Sequence, residues 1–306
     1  MDDDPTTMTP ALEAVGLGRR YRGGWALRDC DFTVPAGRIC GVVGSNGAGK
    51  STLLSLASGQ LDSTEGELLV LGEPAATPGL RARVAYVAQD KPLYPGLTVA
   101  DTLRMGRELN PVWDEAAAQR IVDHGELKPG ARIRSLSGGQ RTRVSLALAI
   151  GKLPDLLLLD EPMADLDPLA RHQLMGILMS VAAERGATIV VSSHILPELD
   201  GVIDYLLFVE RGRVRLAGDL DDILDGHQLL TGPAEAAGLP AELVVEHRVG
   251  GRRATALVRT GEPLDGPWES ERPSLEDLLL GYLRAPADPG PAATRAAERR
   301  NEGVAA

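Results

Sequence analysis

The chain has 306 residues, of which 43% are hydrophobic, and it carries a formal net charge of −11 at pH 7. This length accommodates one large or two smaller domains with a substantial core. The acidic balance argues against nucleic acid as a partner. No apolar run approaches the length of a membrane span, and residues 1–5 lack the basic and apolar regions of a signal peptide.

The N-terminal part is predicted to be disordered over residues 1–10 and then to form short strands. Both cysteines, Cys30 and Cys40, lie in apolar, strand-like runs, which favours small core residues over a disulfide or a metal pair. The predicted strands lie at residues 12–15, 31–34, 39–43, 67–71 and 84–87.

A glycine-rich loop follows the apolar run 39–43 and precedes an apolar, helix-like segment. It fits G-x-x-x-x-G-K-[ST], the pattern of a phosphate-binding loop. The glycines let backbone N–H groups approach phosphate oxygens, the lysine adds positive charge at the β and γ phosphates, and the serine hydroxyl suits Mg²⁺. The predicted nucleotide-binding residues are Gly44, Ser45, Asn46, Gly47, Ala48, Gly49, Lys50, Ser51 and Thr52.

Between residues 98 and 150 the pattern becomes helical. Thr98 and Asp101 resemble a capping box at the start of one helix. Further helices are predicted over residues 113–124 and 141–150. The last of these follows the LSGGQ sequence, which consists of Leu136, Ser137, Gly138, Gly139 and Gln140.

A second apolar run, residues 156–159, ends in the carboxylates of Asp160 and Glu161. Parallel sheets bind ligands beyond the carboxyl ends of their strands. Asp160 is therefore predicted to hold Mg²⁺, and Glu161 to polarise the water that attacks a γ-phosphate. The strand predicted at 188–191 brings His194 to the same edge. Without other signals, carboxylates and a histidine at strand ends are more often solvated side chains without a catalytic role. The intact phosphate loop in the same chain is what favours the catalytic interpretation.

The remaining elements are predicted from local signals. Asp167-Pro168 and Gly186 delimit a helix. Residues 205–210 and 213–217 form a hairpin around Arg211-Gly212, whereas 226–285 shows two weaker strands, at 243–247 and 254–258, and a short helix over 274–282. Residues 286–306, rich in Ala, Pro and Arg, are predicted to be disordered.

Phosphate loop, LSGGQ, LLLLDEP and His194, in this order, resemble the nucleotide-binding domain of ABC transporters over residues about 12–225. The resemblance implies an α/β fold: a P-loop NTPase core with a RecA-like, mostly parallel sheet, an antiparallel β subdomain and an α-helical subdomain at about 98–150. It implies an ATPase domain over 11–225, followed by a small appendage over 226–285. The implied cofactors are ATP and Mg²⁺.

The resemblance also assigns roles to residues that carry no signal alone. Tyr21 resembles the aromatic that stacks on adenine, although an isolated tyrosine is more often a surface aromatic. Gln89 resembles the glutamine that senses Mg²⁺ and water and faces the membrane subunit. Asp167 lies in a segment that resembles the loop touching the partner subunit. His194 resembles the histidine that contacts the γ-phosphate. Asp165 departs from the family, which usually has a small residue there.

The LSGGQ sequence implies two partners. This segment can present a hydroxyl and backbone N–H groups to a γ-phosphate through Ser137, Gly138, Gly139 and Gln140. The helical insert, which is the implied subdomain at about 98–150, would hold these residues far from Lys50 of the same chain. The family solves this with a head-to-tail dimer around two ATP molecules. A homodimer is expected, with a heterodimer as the alternative. A separate integral membrane permease would hold the chain peripherally at the cytoplasmic face of the membrane.

The direction of transport is expected to be export, because the short helical insert, the segment 110–114 and the appendage resemble exporter-type motors. The rival class is a soluble ABC-type ATPase that acts on ribosomes or DNA. Members of that class that act on ribosomes usually carry two such domains in one chain, whereas this chain shows one. Members that act on DNA carry long coiled coils between the phosphate loop and LSGGQ, and residues 53–135 show no heptad pattern. A non-hydrolysing binding module would lack a catalytic group, and none is lost here.

Overall fold

The computed structural model describes residues 9–195, 199–236, 239–262 and 264–285. The segments predicted to be disordered, 1–10 and 286–306, lie outside these residues except for Thr9 and Pro10. The chain divides into two compact units, Met1–Ala217 and Gly218–Ala306. The predicted boundary between an ATPase domain and an appendage at residue 225 stays a prediction.

The first unit contains two sheets and most of the helices. Its strands are β1 (Leu12–Tyr21), β2 (Gly24–Val34), β3 (Ile39–Val43), β4 (Glu65–Val70), β5 (Glu73–Pro74), β6 (Val84–Val87), β7 (Leu156–Asp160), β8 (Thr188–Ser193), β9 (Tyr205–Glu210) and β10 (Arg213–Asp219), of which the last two residues belong to the second unit. Its helices are α1 (Lys50–Ala57), α2 (Leu80–Arg83), α3 (Val99–Leu109), α4 (Glu115–His124), α5 (Gly138–Gly151) and α6 (Pro168–Arg185).

The central sheet has the strand order β10-β9-β3-β8-β7-β6, and β3, β6, β7, β8 and β9 run parallel within it. All of β3, β7 and β8 is buried, which is why these strands read as continuous apolar runs. Their carboxyl ends meet at one edge, where β7 ends at Asp160 opposite Ser192 of β8. The predicted mostly parallel core is therefore present, and this edge holds the phosphate loop.

A second, antiparallel sheet has the order β2-β1-β4-β5, which matches the predicted antiparallel subdomain. Its strands β1 and β2 are longer than predicted. The pairs Arg20↔Trp25 and Tyr21↔Gly24 extend the ladder to the turn between them. Both strands continue through polar residues such as Arg20 and Arg28, which a strand with one solvated face tolerates.

In the helical insert, the start of α3 agrees with the prediction and the start of α5 does not. Thr98 and Asp101 form the predicted capping box at α3. By contrast, α5 begins at Gly138 rather than at residue 141. Glycine disfavours helix, but Ser137 and Gln140 form a second capping box that fixes the first turn. Helix α6 spans Pro168–Arg185 and ends at Gly186 with φ 63°, as predicted.

The second unit is a small sheet with one helix packed on it. Its elements are α7 (Leu220–Asp225), β11 (Gln228–Pro233), β12 (Val244–Gly250), β13 (Arg253–Val258), β14 (Glu269–Glu271) and α8 (Leu275–Arg284). The strand order is β12-β13-β11-β14, around a core of Leu230, Ala256 and Val258. The hairpin and the C-terminal helix were predicted. The strands β11 and β14 were not, because their neighbours in the sheet lie far along the chain.

Two further expectations concern cysteines and membrane spans. Cys30 and Cys40 are buried and free, and burial raises the pKa of both thiols. They are core residues, as predicted. Within the part of the chain that the structure describes, no helix combines the length and apolarity that crossing a membrane requires.

His227 is a buried histidine of the second unit and is expected to make this unit sensitive to acid. Its Nδ1 donates to the Ile223 carbonyl at 2.7 Å and its Nε2 accepts from the Tyr282 hydroxyl at 2.9 Å. Burial lowers the pKa of His227 below its ordinary value. Below about pH 6.5 the unfolded chain therefore binds a proton that the folded chain does not. The free energy of unfolding should fall as the pH drops, by at most about 1.4 kcal/mol per pH unit from this group.

Urea unfolding between pH 7.5 and pH 5.5 measures this dependence. His227→Gln should have a shallower pH dependence than the wild-type chain, and His172→Gln, at an exposed histidine, is the matched control. Equal slopes for the wild-type chain and His227→Gln would show that His227 does not titrate in this way.

Candidate active site

The phosphate loop turns between the end of β3 and the start of α1, and two glycines shape it. Gly49 has φ 115°, a conformation that side chains disfavour, and it is the N-cap of α1. Gly44 leaves no room for a Cβ, which would overlap the Val209 carbonyl of β9. The backbone thus wraps closely around the N-terminus of α1, where helix N–H groups attract anions.

The turn between β9 and β10 supports this loop from behind. The Gly212 N–H donates to the Ala48 carbonyl at 2.9 Å, and the Gly212 carbonyl accepts from the Arg28 N–H at 2.8 Å. One residue of the turn therefore ties the loop to β2. The sequence predicted this hairpin, but not its contact with the loop.

Lys50, Glu161 and His194 form a connected chain of charged and polar groups. The Lys50 Nζ donates to the Gly44 carbonyl at 2.8 Å and lies 3.2 Å from Glu161 Oε1. The other oxygen of Glu161 lies 2.7 Å from His194 Nδ1. Because a carboxylate oxygen accepts, Nδ1 is the donor of this hydrogen bond. The lysine and glutamate side chains are 6% and 9% exposed, whereas that of His194 is 39% exposed.

Ser192 fixes the two carboxylates at the end of β7. Its hydroxyl donates to Asp160 Oδ1 at 2.7 Å and accepts from the Glu161 N–H at 2.9 Å. Glu161 has φ 48°, an uncommon conformation for a residue with a side chain, and this hydrogen bond holds it there. This role of Ser192 was not predicted from the sequence. The available signal was its place one strand away from Asp160, at the same end of a parallel sheet.

Tyr86 lies near the same carboxylate. Burial, with Asp160 nearby, raises the pKa of the Tyr86 phenol. The phenol therefore stays neutral, and its oxygen lies 3.4 Å from Ser55 Oγ of α1.

A cleft of about 390 Å³ opens above these groups. A space of this size, with a left-handed glycine turn, a helix N-terminus and a buried ammonium, fits a polyphosphate. Its lining residues are Ala26, Asn46, Gly47, Ala48, Gly49, Lys50, Ser51, Thr52, Gln89, Glu161 and His194. The structure thus brings most of the sequence-predicted residues to one place, including Gln89 from the loop after β6.

Other predicted residues lie outside the cleft lining. Asp160 is 2% exposed and sits below the cleft. Tyr21 is 45% exposed, and the guanidinium of Arg19 lies 5.0 Å from its ring centre. Asp167 is the N-cap of α6, where it accepts from the Ala170 N–H at 2.9 Å. The expected adenine and partner contacts of Tyr21 and Asp167 therefore stay predictions.

The LSGGQ residues form the N-terminus of α5, and among the described residues none of 137–140 lines the cleft. The Ser137 hydroxyl accepts from the Gln140 N–H at 3.2 Å, which leaves its own proton to donate. The side chain of Gln140 accepts from the Ser137 N–H at 3.0 Å. Gly138 and Gly139 occupy the first turn, where N–H groups have no partner within a helix. This terminus is a second place where an anion can bind.

Comparisons with known proteins agree on the family. A family model described as ABC transporter matches residues 27–164. The chain is 35% identical to the Nod factor export ATP-binding protein I of Rhizobium johnstonii over 221 residues, which are 70% of this chain and 71% of that protein. It is 34% identical to the aliphatic sulfonates import ATP-binding protein SsuB of Escherichia coli K12 over 255 residues, which are 83% and 96%.

A solved structure described as the ATP-binding subunit of an ABC transporter is 30% identical, with a TM-score of 0.63. The alignment covers 70% of this chain and 91% of that one. Relatives include an exporter and an importer, so the expected export direction stays a prediction. The fold, the cleft and these relatives together show that the chain belongs to the ABC transporter family, as an ATP-binding subunit with ATPase activity.

Proposed function

We propose that this subunit binds and hydrolyses ATP in the cleft above Lys50, with Glu161 as the base that polarises the attacking water. The observation that carries this proposal is the contact chain from Lys50 through Glu161 to His194, because it places an ammonium, a carboxylate and an imidazole around one phosphate-sized space. Lys50 binds the β and γ phosphates, and His194 orients the carboxylate and contacts the γ-phosphate.

Mg²⁺ fits this site only together with the nucleotide. Among the described residues, no group of three or more His, Cys, Asp or Glu side chains could hold a metal ion. Ser51, Asp160 and Gln89 offer oxygen ligands, and Mg²⁺ is commonly held by one or two protein groups, phosphates and water. When bound, the ion neutralises phosphate charge.

We further propose that the LSGGQ of one chain covers the ATP held by a second copy. The support is the position of residues 137–140 at a helix N-terminus outside their own chain's cleft. In a C₂ dimer such an arrangement completes two sites at once. A homodimer is the simpler form, since this chain supplies both halves of a site.

Mixing two inactive variants tests the composite site. Lys50→Ala damages the phosphate loop, and Gly139→Asp places a like charge at the LSGGQ. Each homodimer then has two damaged sites, whereas a mixed dimer has one intact site. Statistical pairing should restore about a quarter of the wild-type number of sites. Phosphate release from the mixture measures this recovery, and a mixture as inactive as its components would contradict the proposal.

The dimer is proposed to act on a separate membrane permease at the cytoplasmic face, in the direction of export. Support for export is the resemblance of segment 110–114 and of the region after 225 to exporter-type motors. Co-purification with a multi-span protein from membranes would separate this function from a soluble ATPase acting on ribosomes or DNA. ATP-driven uptake into inverted vesicles would then establish export, whereas uptake into right-side-out vesicles would establish import.

A further inference from the structure

Asp165 brings three functional segments into contact. Its carboxylate Oδ2 lies 2.6 Å from the ammonium of Lys91, two residues after Gln89. The same side chain lies against the LSGGQ: a Cβ built on Gly138 would stand 3.0 Å from the Asp165 Cβ and 3.2 Å from its Oδ2. A Cβ built on Gly139 would stand 3.1 Å from the Asp165 carbonyl oxygen. Asp165 therefore sits beside the second anion-binding position, the N-terminus of α5.

Lys91 is unusual both in its burial and in its backbone. Only 5% of its side chain is exposed, and its φ of 47° lies in the left-handed region. A buried ammonium is costly unless it is paired. Asp165 supplies that pairing, while 48% of its own side chain remains exposed. The ammonium thus approaches the carboxylate from within the protein and leaves the outer face of Asp165 toward solvent.

The carboxylate of Asp165 has an electrostatic consequence for the LSGGQ. The N-terminus of α5 attracts anions through its dipole and its N–H groups. A carboxylate beside this terminus offsets that attraction and repels an approaching phosphate. An ammonium at 2.6 Å from the carboxylate cancels most of this repulsion.

We propose that Lys91 is a positioning residue that neutralises Asp165 beside the LSGGQ, so that this carboxylate does not repel the phosphate that the LSGGQ must cover. This inference rests on the proposed function, in which that phosphate belongs to ATP bound by the partner. Lys91 therefore serves the partner's site rather than the cleft of its own chain.

The test measures ATP-dependent dimerisation of the full chain in a Glu161→Gln background, by analytical ultracentrifugation. Lys91→Met should weaken dimerisation at least about tenfold, because one charge is left uncompensated. Adding Asp165→Asn removes that charge at nearly constant side-chain shape, and it should restore ATP-dependent dimerisation. Raising the salt from about 0.1 M to about 1 M shortens the screening length from about 10 Å to about 3 Å. The difference in dimerisation affinity between Lys91→Met and the chain with Lys91 should then become smaller. Lys128→Met, at an exposed lysine, is the matched control.

The outcomes separate the inference from the function beneath it. If Glu161→Gln alone does not dimerise with ATP, the composite site fails. If it dimerises and Lys91→Met dimerises equally well, the inference about Lys91 is overturned. If Lys91→Met is defective but Asp165→Asn does not rescue it, Lys91 acts through packing alone, and the inference is likewise overturned. Weakening by Lys91→Met that Asp165→Asn and salt both relieve supports it.

Discussion

Replacing Glu161 with glutamine is expected to lower ATP turnover by at least about 100-fold while ATP still binds. The amide can still accept a hydrogen bond from His194 Nδ1, which lies 2.7 Å from the carboxylate, so the geometry is kept. It cannot polarise the attacking water. The change also removes the charge that lies 3.2 Å from Lys50 Nζ and competes with phosphate for this ammonium. ATP affinity should therefore be equal to or higher than that of the wild-type chain.

Phosphate release and titration with a fluorescent ATP analogue measure the two effects separately. Glu108→Gln makes the same chemical change at an exposed position and should leave both unchanged. Turnover of Glu161→Gln within twofold of the wild-type rate would rule out Glu161 as the base.

Replacing Lys50 with alanine is expected to weaken ATP binding at least about 100-fold, because the mobile charge at the β and γ phosphates is lost. The structure adds a second consequence. Glu161, which is 8% exposed, loses the counter-charge that faces it, and breaking a buried pair commonly costs about 3 kcal/mol. The variant should therefore unfold at a lower temperature than the wild-type chain even without nucleotide.

A double variant distinguishes the two consequences. Lys50→Ala with Glu161→Gln removes both charges, so the melting temperature should rise again while ATP still gives no increase. Lys128→Ala, at an exposed lysine, should melt and bind ATP like the wild-type chain. A Lys50→Ala chain that ATP stabilises as much as the wild-type chain would contradict the assigned role of Lys50.

Local signals predicted much of this fold. Helix α6 was bounded correctly because Asp167, Pro168 and Gly186 mark its ends within a few residues of sequence. The strand β6 was bounded correctly by its short apolar run. The strand β11 was missed because its partners in β13 lie 20 to 30 positions along the chain, and such pairing leaves no local signal.

The site divides in the same way. Motif residues such as Lys50 and Glu161 were predicted because their chemistry is tied to fixed spacings. Ser192 and Lys91 were not predicted, since their roles arise from contacts across the fold, 32 positions from Asp160 and 74 positions from Asp165. The early start of α5 at Gly138 could have been predicted, because Ser137 and Gln140 already have the spacing of a capping box.

The position of β3 in the central sheet has a consequence for synthesis of the chain. β3 precedes the phosphate loop, but its two neighbours, β8 and β9, are made 150 and 165 residues later. Gly212, which ties the loop to β2, is made later still. A nascent chain therefore carries a complete loop sequence long before it has a binding site, since non-local pairing must come first. Nucleotide can stabilise only a chain that already includes the β9–β10 hairpin. Shorter nascent chains therefore fold without stabilisation by bound nucleotide.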